Sequence, residues 1–324
     1  MITTPVALII FRRPEFTERV MAAIAEAKPQ KLLIVADGPR PERRDDVGEC
    51  AAARAVAERV DWDCEVLKNY SDVNLGCCRR LATGISWVFE QVEEAIILED
   101  DCVPHPSFFR FAQELLERYR EDERVMHIAG STYRRESFPI PSSYYFSCFN
   151  GAWGWATWRR SWKYYDVGLK LWPWLKNTSW LEDILEYEIA VRYWASLFDF
   201  AFQHDGNVTG WDHQWTFACW AHSGLSVMPK HNLVSNIGSG SDATHTFKEN
   251  DPTLNLPTEE MKFPLVHPLA VLQNRELDRK HLREYLPYLP KSVNPLRRLA
   301  SRVAPEIVKH AYHAMALACS QLWG

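Results

Sequence analysis

The stretch AIILEDDCVPHPSFF, residues 95–109, joins an apolar run, Ala95–Leu98, to three adjacent carboxylates, Glu99, Asp100 and Asp101. Adjacent carboxylates repel one another and resist burial. At the end of a core strand they become tolerable if a hard divalent cation shares their charge. Oxygen ligands of this kind suit Mg2+ or Mn2+, ions that keep waters and bridge to phosphates. The plain alternative is a solvated acidic turn before a helix at Pro106, where acids also suit the helix dipole. Placement directly after a buried-type strand favours the metal site.

Other strand ends carry related chemistry. KLLIVADGP ends on Asp37 and Gly38, where a carboxylate can accept from a base or ribose edge or simply close a turn. YSDVNLGCCRR sets Asn74 and Gly76 before a helix with Arg79 in its first turn, and helix-start N–H groups plus an arginine form an anion site. Arg12 and Arg13 follow the first strand and could meet a base or diphosphate, or form a charged sheet edge. No G-x-G-x-x-G or Walker A sequence is present, so phosphates are expected on a metal. Asp212, in GWDHQW, is a candidate general base between Trp211 and Trp215, whose apolar faces could raise its pKa. Its structural alternative is a helix N-cap.

Positioning such residues needs a scaffold, and residues 5–130 supply an alternation. PVALIIF, KLLIVAD, DCEVLKN, AIILED and RVMHIAG read as strands. The helices expected between them are PEFTERVMAAIAEA, the run 42–60, CCRRLATGISWVFEQV and PSFFRFAQELLERYRED. This pattern implies parallel strands with right-handed crossovers, an open α/β sheet. Ligands then bind outside the carboxyl ends of the strands, where Glu99–Asp101 fall. After Gly130 the alternation stops. SSYYFSCF and LSVMPKHNLVSN read as strands, and WATWRRSWKYY, SWLEDILEYEIAVRYWASLF and DHQWTFACWAHSG as helices. Residues 237–256 read as a Gly-, Ser- and Thr-rich loop containing His245, which could ligate metal or touch phosphate.

The chain has 324 residues and a net charge of −5, which gives no general nucleic-acid footprint. No apolar run approaches a membrane span, and MITTPVALIIF lacks the basic start of a signal peptide, so a cytoplasmic protein is expected. The eight cysteines show no C-x-x-C spacing and read as reduced thiols. Eleven of the 14 tryptophans fall between Trp153 and Trp220, which suggests a platform for flat hydroxylated ligands within a Trp-rich core. Trp158, Trp162, Trp194 and Trp220 are expected in that core, and Trp153, Trp155 and Trp211 on the ligand. The basic tail, with Leu296, Leu299, Val303 and Ile307 in a stripe, is expected to dock on the protein itself or to form a dimer contact. Peripheral contact with the inner membrane face is the second reading.

Together PVALIIFRRPE, LLIVADGP, VNLGCCRR, IILEDDCVPHPSFF, NGAWGWATWRRSW, GWDHQWTFACW and LVSNIGSGSDATHT resemble a bacterial nucleotide-diphospho-sugar transferase family, also described as hemolysin-like, of the GT-A fold and related to N-acetylglucosaminyltransferase I. The resemblance implies a GT-A domain over 1–260, with a nucleotide half to about 130 and an acceptor half from 131, and a C-terminal helical extension over 261–324. It implies Asp37 on the nucleotide base, Asp101 as ligand to Mn2+ or Mg2+, and Glu99 and Asp100 facing donor sugar and ribose. Arg12, Asn74, Arg79 and His245 join the donor side. Asn150, Gly151, Trp153, Gly154 and Trp155 line donor and acceptor, with Trp211 beside Asp212 as catalytic base. The implied activity is inverting, metal-dependent transfer from a nucleoside-diphosphate sugar, by default a UDP-sugar, to a glycan, lipid-linked or protein hydroxyl. The segment between Trp155 and Trp211 departs from the eukaryotic enzyme, so the acceptor does not carry over. Competing readings are a sugar nucleotidyltransferase, which FRRPEFTERV disfavours by lacking glycine, and a non-catalytic carbohydrate-binding protein.

Overall fold

The computed structural model describes residues 2–133, 137–205, 210–238 and 253–285. The first half alternates as expected: β1 (Val6–Ile10), α1 (Pro14–Ala27), β2 (Lys31–Ala36), α2 (Asp45–Ala57), β3 (Glu65–Tyr70), α3 (Cys77–Gln91) and β4 (Glu94–Glu99). The four strands pair in parallel, with Val6 opposite both Leu32 and Ile96. Every residue of β1 is buried, because helices cover both faces of the sheet. Val6, Leu8 and Ile10 pack with Val20 and Ile24 of α1, while Ala7 and Ile9 pack with Leu81, Ile85 and Val88 of α3. Proline at the start of α1 fits a position whose N–H has no helical partner.

The second half adds β5 (Cys102–Pro104), α4 (Pro106–Arg118), β6 (Val125–Ala129), β7 (Tyr144–Ser147), β8 (Trp155–Trp158), α5 (Arg159–Trp162), α6 (Trp172–Leu175), α7 (Trp180–Leu185), α8 (Glu188–Gln203), α9 (Asp212–Ala221), β9 (Leu225–Pro229), β10 (Val234–Asn236) and α10 (Arg275–Tyr285). The main sheet runs β3-β2-β1-β4-β8-β6-β9-β7 and is mixed, since β8 is antiparallel to both β4 and β6. A separate two-stranded ribbon joins β10 to β5.

Three expectations change here. Trp155–Trp158 forms a central strand rather than the start of a helix, because its aromatic and β-branched side chains fill the gap between β4 and β6. The single helix expected over residues 179–198 breaks at Glu186, which takes a left-handed φ of 57° and separates α7 from α8. LSVMPKHNLVSN is two strands in two sheets, and that split carries its second part to the end of β4. Of the expected C-terminal extension only the part to 285 is described, with one helix, α10; the tail stripe lies outside the described residues.

Candidate active site

β4 delivers Glu99 at its carboxyl end, and Asp100 and Asp101 turn the chain into β5. Asp100 is buried and accepts the Phe11 N–H at 3.3 Å and an Arg13 N–H. Arg13 also reaches Asp101 Oδ2 at 2.9 Å, so one guanidinium straps both aspartates to the end of β1. Burial opposes the Arg13 charge, but the two aspartates outweigh it and hold its pKa above the ordinary value. For Asp100 burial wins, raising its pKa against the pull of Arg13. Burial pushes Glu99 up to about 8, with the negative charges of Asp101 and Asp100 adding to the effect.

The ribbon brings a second segment to Asp101. Asn236 pairs with Cys102, and its Nδ2 lies 3.5 Å from Asp101 Oδ1. Ile237 N–H donates to the Asp101 carbonyl at 2.8 Å, and Gly238 N–H to Asn236 Oδ1 at 2.8 Å. A Cβ at Gly238 would lie 2.2 Å from Asp101 Oδ2, so only glycine permits this approach. Among the described residues no group of three or more His, Cys, Asp or Glu could cage a metal. Among the described residues Asp101 Oδ1 nevertheless has contacts of 3.5 Å to Asn236 and Cys102 and no shorter one, and its side chain is 14% exposed. One such carboxylate beside Glu99 fits an Mg2+ or Mn2+ ion that takes its other ligands from phosphate and water.

Asp212 is the first residue of α9. Trp211 occupies the N-cap and makes no side-chain capping bond, so the Asp212 carboxylate lies inside the first turn. It is 39% exposed, 3.6 Å from His213 Nδ1. Its charge adds to the upward shifts of Glu99, of Cys77 at the start of α3 and of Tyr133, so the Asp212 carboxylate lies in the neighbourhood of the acidic turn. The Cys77 thiol is held well above its usual range by burial first and Glu99 next.

α9 is fastened to the loop Asn150–Gly154. Thr216 Oγ1 lies 2.9 Å from Asn150 Oδ1. Trp215 Nε1–H donates to His127 Nδ1 at 3.1 Å, and His127 Nε2 faces the Gly151 carbonyl at 3.0 Å. An indole N–H can only donate, so Nδ1 is bare and Nε2–H donates to Gly151. Burial drives the His127 pKa down to about 3, partly opposed by the Gly151 bond, and keeps the ring neutral. Ala152 N–H donates to the Tyr133 hydroxyl at 2.9 Å. Tyr133 has φ +55°, a conformation uncommon for non-glycine residues, and its ring meets Trp153 edge-on at 4.7 Å. Gly154, at φ +61°, accepts Gly130 N–H at 2.8 Å.

The aromatic expectation is corrected in part. Trp155 and Trp211 were expected to contact ligand, but they are 1% and 4% exposed. Trp155 stacks on Trp211 at 5.3 Å and on His127 at 5.0 Å, because β8 is internal to the sheet and α9 covers it. They form the floor beneath Asp212, and Trp153 is the half-exposed aromatic of the loop.

The remaining donor-side residues separate from the acidic turn. Asp37 accepts Gly38 and Leu75 N–H at 2.9 Å, Gly76 N–H at 3.1 Å and Asn74 Nδ2 at 3.1 Å. Four bonds fill a carboxylate, so Asp37 and Asn74 pin the loop before α3 instead of offering a free acceptor to a base. Burial raises the Asp37 pKa against its backbone bonds to Leu75, Gly38 and Gly76. Arg12 turns to α2, contacting Glu49 and Asp46, the latter at 3.3 Å. Arg79 is exposed. His245 lies outside the described residues. Arg13, expected on a base or diphosphate or at a charged sheet edge, lies on Asp100 and Asp101. Cys77, Tyr133, His127 and Asn236 enter as neighbours that pattern reading missed. Only Asn236 left a signal, as an asparagine closing an apolar run before Ile237 and Gly238.

No protein-family model and no curated protein sequence matches the chain. Solved structures do resemble it at low identity. Mouse xyloside xylosyltransferase 1, in its apo form, is 11% identical with a TM-score of 0.37, over 69% of this chain and 84% of that one. Mannosyltransferase PcManGT from Pyrobaculum calidifontis, in complex with GDP-Man and Mn2+, is 16% identical with a TM-score of 0.35, over 50% of this chain and 47% of that one. A UDP-glucose pyrophosphorylase complexed with UDP-glucose is 12% identical with a TM-score of 0.26, over 45% and 62%. Likenesses of this size leave the chemistry to be read from the residues.

Proposed function

We propose that this chain is a nucleotide-sugar-dependent glycosyltransferase of GT-A type, acting with inversion on a UDP-sugar or related donor. The observation that carries the reading is an acidic turn at the carboxyl end of β4 with the Asp212 carboxylate in its neighbourhood, its side chain 39% exposed. Asp101 would hold Mn2+ or Mg2+, which when bound neutralises the leaving diphosphate as a Lewis acid. Arg13 keeps Asp100 and Asp101 in register before any ligand arrives. Trp153, braced by Tyr133, offers an aromatic face to a sugar ring. Asp212 accepts the proton of the acceptor hydroxyl as that oxygen attacks the anomeric carbon. A single displacement assisted by one base inverts the configuration.

The test is a panel of nucleotide sugars with Mn2+ and a mixed glycan acceptor pool, read as release of nucleoside diphosphate. Asp212→Asn is expected to bind donor normally and to lower kcat by about 10²- to 10⁴-fold. Turnover above about a tenth of wild type would remove Asp212 as the base. Pyrophosphate exchange with a sugar phosphate would point to nucleotidyl transfer instead.

A further inference from the structure

A cavity of about 270 Å³ lies where α7, the end of α9 and the start of α10 meet, and it shares no lining residue with the acidic turn, Asp212 or the loop Asn150–Gly154. Its walls are fixed from three sides. Trp220 of α9 is buried and donates its indole N–H to the Cys148 carbonyl at 2.7 Å. Asp278 of α10 is buried, and its carboxylate accepts Ser147 Oγ–H at 2.6 Å, Cys148 N–H at 3.1 Å and Gln273 Nε2–H at 2.8 Å. Glu186, at the break between α7 and α8, holds a left-handed φ of 57° where glycine is the usual residue. Its two carboxylate oxygens accept from Arg279 of α10 at 2.8 and 3.0 Å, which ties the wall made by α7 to the wall made by α10. Backbone strain of this kind gathers at ligand clamps. Three polar groups of the lining are left over. The Trp180 indole N–H and the Arg275 guanidinium make no hydrogen bond among the described residues, and Asp183 has Ser179 Oγ alone, at 3.2 Å. Asp183 and Arg275 form no ion pair with each other, so the lining offers an acceptor and a cluster of donors at separate points. The Trp180 ring stands edge-on against Phe217 at 5.5 Å.

We propose that this cavity holds one neutral sugar residue of a glycan. With Glu186 spent on Arg279 and Asp278 on its three donors, one carboxylate and one guanidinium remain, which fits a neutral ligand better than an ion. A sugar hydroxyl both donates and accepts, so hydroxyls on one ring satisfy Asp183 and Arg275 together while the apolar face of the ring lies on Trp180. The volume falls at the small end of ligand pockets, as a single ring requires. Trp220 and Asp212 stand at opposite ends of α9, about 12 Å apart along its axis. The occupant is then a remote residue of an extended acceptor. That placement rests on the proposed transfer reaction; the binding itself does not.

The experiment is saturation-transfer NMR of the full-length chain with the methyl glycosides of glucose, galactose, mannose and N-acetylglucosamine, and with L-leucine as a zwitterion able to bridge the same two charges. At least one glycoside is expected to bind. Asp183→Ala and Arg275→Gln, at exposed positions, are expected to stay folded and each to weaken that glycoside about tenfold or more. Trp153→Ala, in the transfer cleft, is expected to leave its binding unchanged. No binding of any glycoside would overturn the proposal. So would a loss with Trp153→Ala and none with Asp183→Ala, which would place the sugar in the cleft. Binding of L-leucine in place of the glycosides would also overturn it, by assigning the cavity to an amino acid. Release of nucleoside diphosphate is read separately, so failure of either reading leaves the other standing.

Discussion

His127 makes the acid sensitivity of the protein calculable. Its folded pKa of about 3 lies below the ordinary 6.5 because the ring is fully buried, an effect that the bond to Gly151 only partly opposes. A depressed folded pKa means the unfolded chain takes up a proton that the native state refuses. The stabilisation is therefore complete above pH 6.5 and declines as pH falls toward 3. Each pH unit in that window costs about 1.4 kcal/mol. At pH 4.5 this single ring removes on the order of 3 kcal/mol relative to pH 8. His127→Gln deletes the titration while an amide can still accept from Trp215 and donate to Gly151. Urea unfolding followed by far-UV circular dichroism at pH 8, 6 and 4.5 would compare the two proteins. The reading is the difference in pH dependence, since absolute stability also reports packing. Parallel curves for wild type and variant would refute a neutral, buried His127.

Asp101→Ala is expected to abolish the Mn2+-dependent part of UDP binding while the fold persists, and calorimetry with and without metal would measure it. Gly238→Ala must displace the Asp101 carboxylate, because the new Cβ would stand 2.2 Å from Oδ2; a loss of about 10- to 100-fold in metal-dependent affinity is expected in the same titration. Arg13→Gln strands the buried Asp100 without its cation and is expected to cost about 3 kcal/mol in denaturant unfolding. Arg12→Gln is expected to cost much less, because Arg40 still holds Asp46 at 2.6 and 2.8 Å; equal losses would contradict the assignment of the two arginines.

The parallel half of the fold was legible because its strands are buried on both faces and its helices repeat at 3.6 residues, as Thr17, Val20, Met21 and Ile24 show. β8 was not, because Trp158 and Trp162 have helical spacing although the first ends a strand and the second a short helix. The acidic turn could be read from the abrupt change of Leu98 to Glu99. Which arginine of the adjacent pair would meet it could not, since that depends on how the chain leaves β1 for α1. Asp37 shows a further limit: a carboxylate after a strand looks the same in sequence whether its lone pairs face a ligand or four donors of its own chain. Tyr133 left no trace, because a left-handed backbone angle at a tyrosine has no composition signature.

The floor of stacked indoles has an optical consequence. Trp155 and Trp162 lie with ring centroids 5.2 to 6.4 Å from each other and from Trp211 and Trp215, close enough for their electronic transitions to couple. A rigid set of coupled chromophores gives strong near-ultraviolet dichroism whose sign and splitting follow the angles between rings. Trp211 adjoins Asp212, and Trp215 is joined through His127 to Gly151. Any occupant of the cleft that moves the start of α9 or that loop would rotate one chromophore against the others. The protein thus carries an intrinsic, label-free gauge of what enters its cleft, beside an exposed Trp174 whose emission reports a different surface.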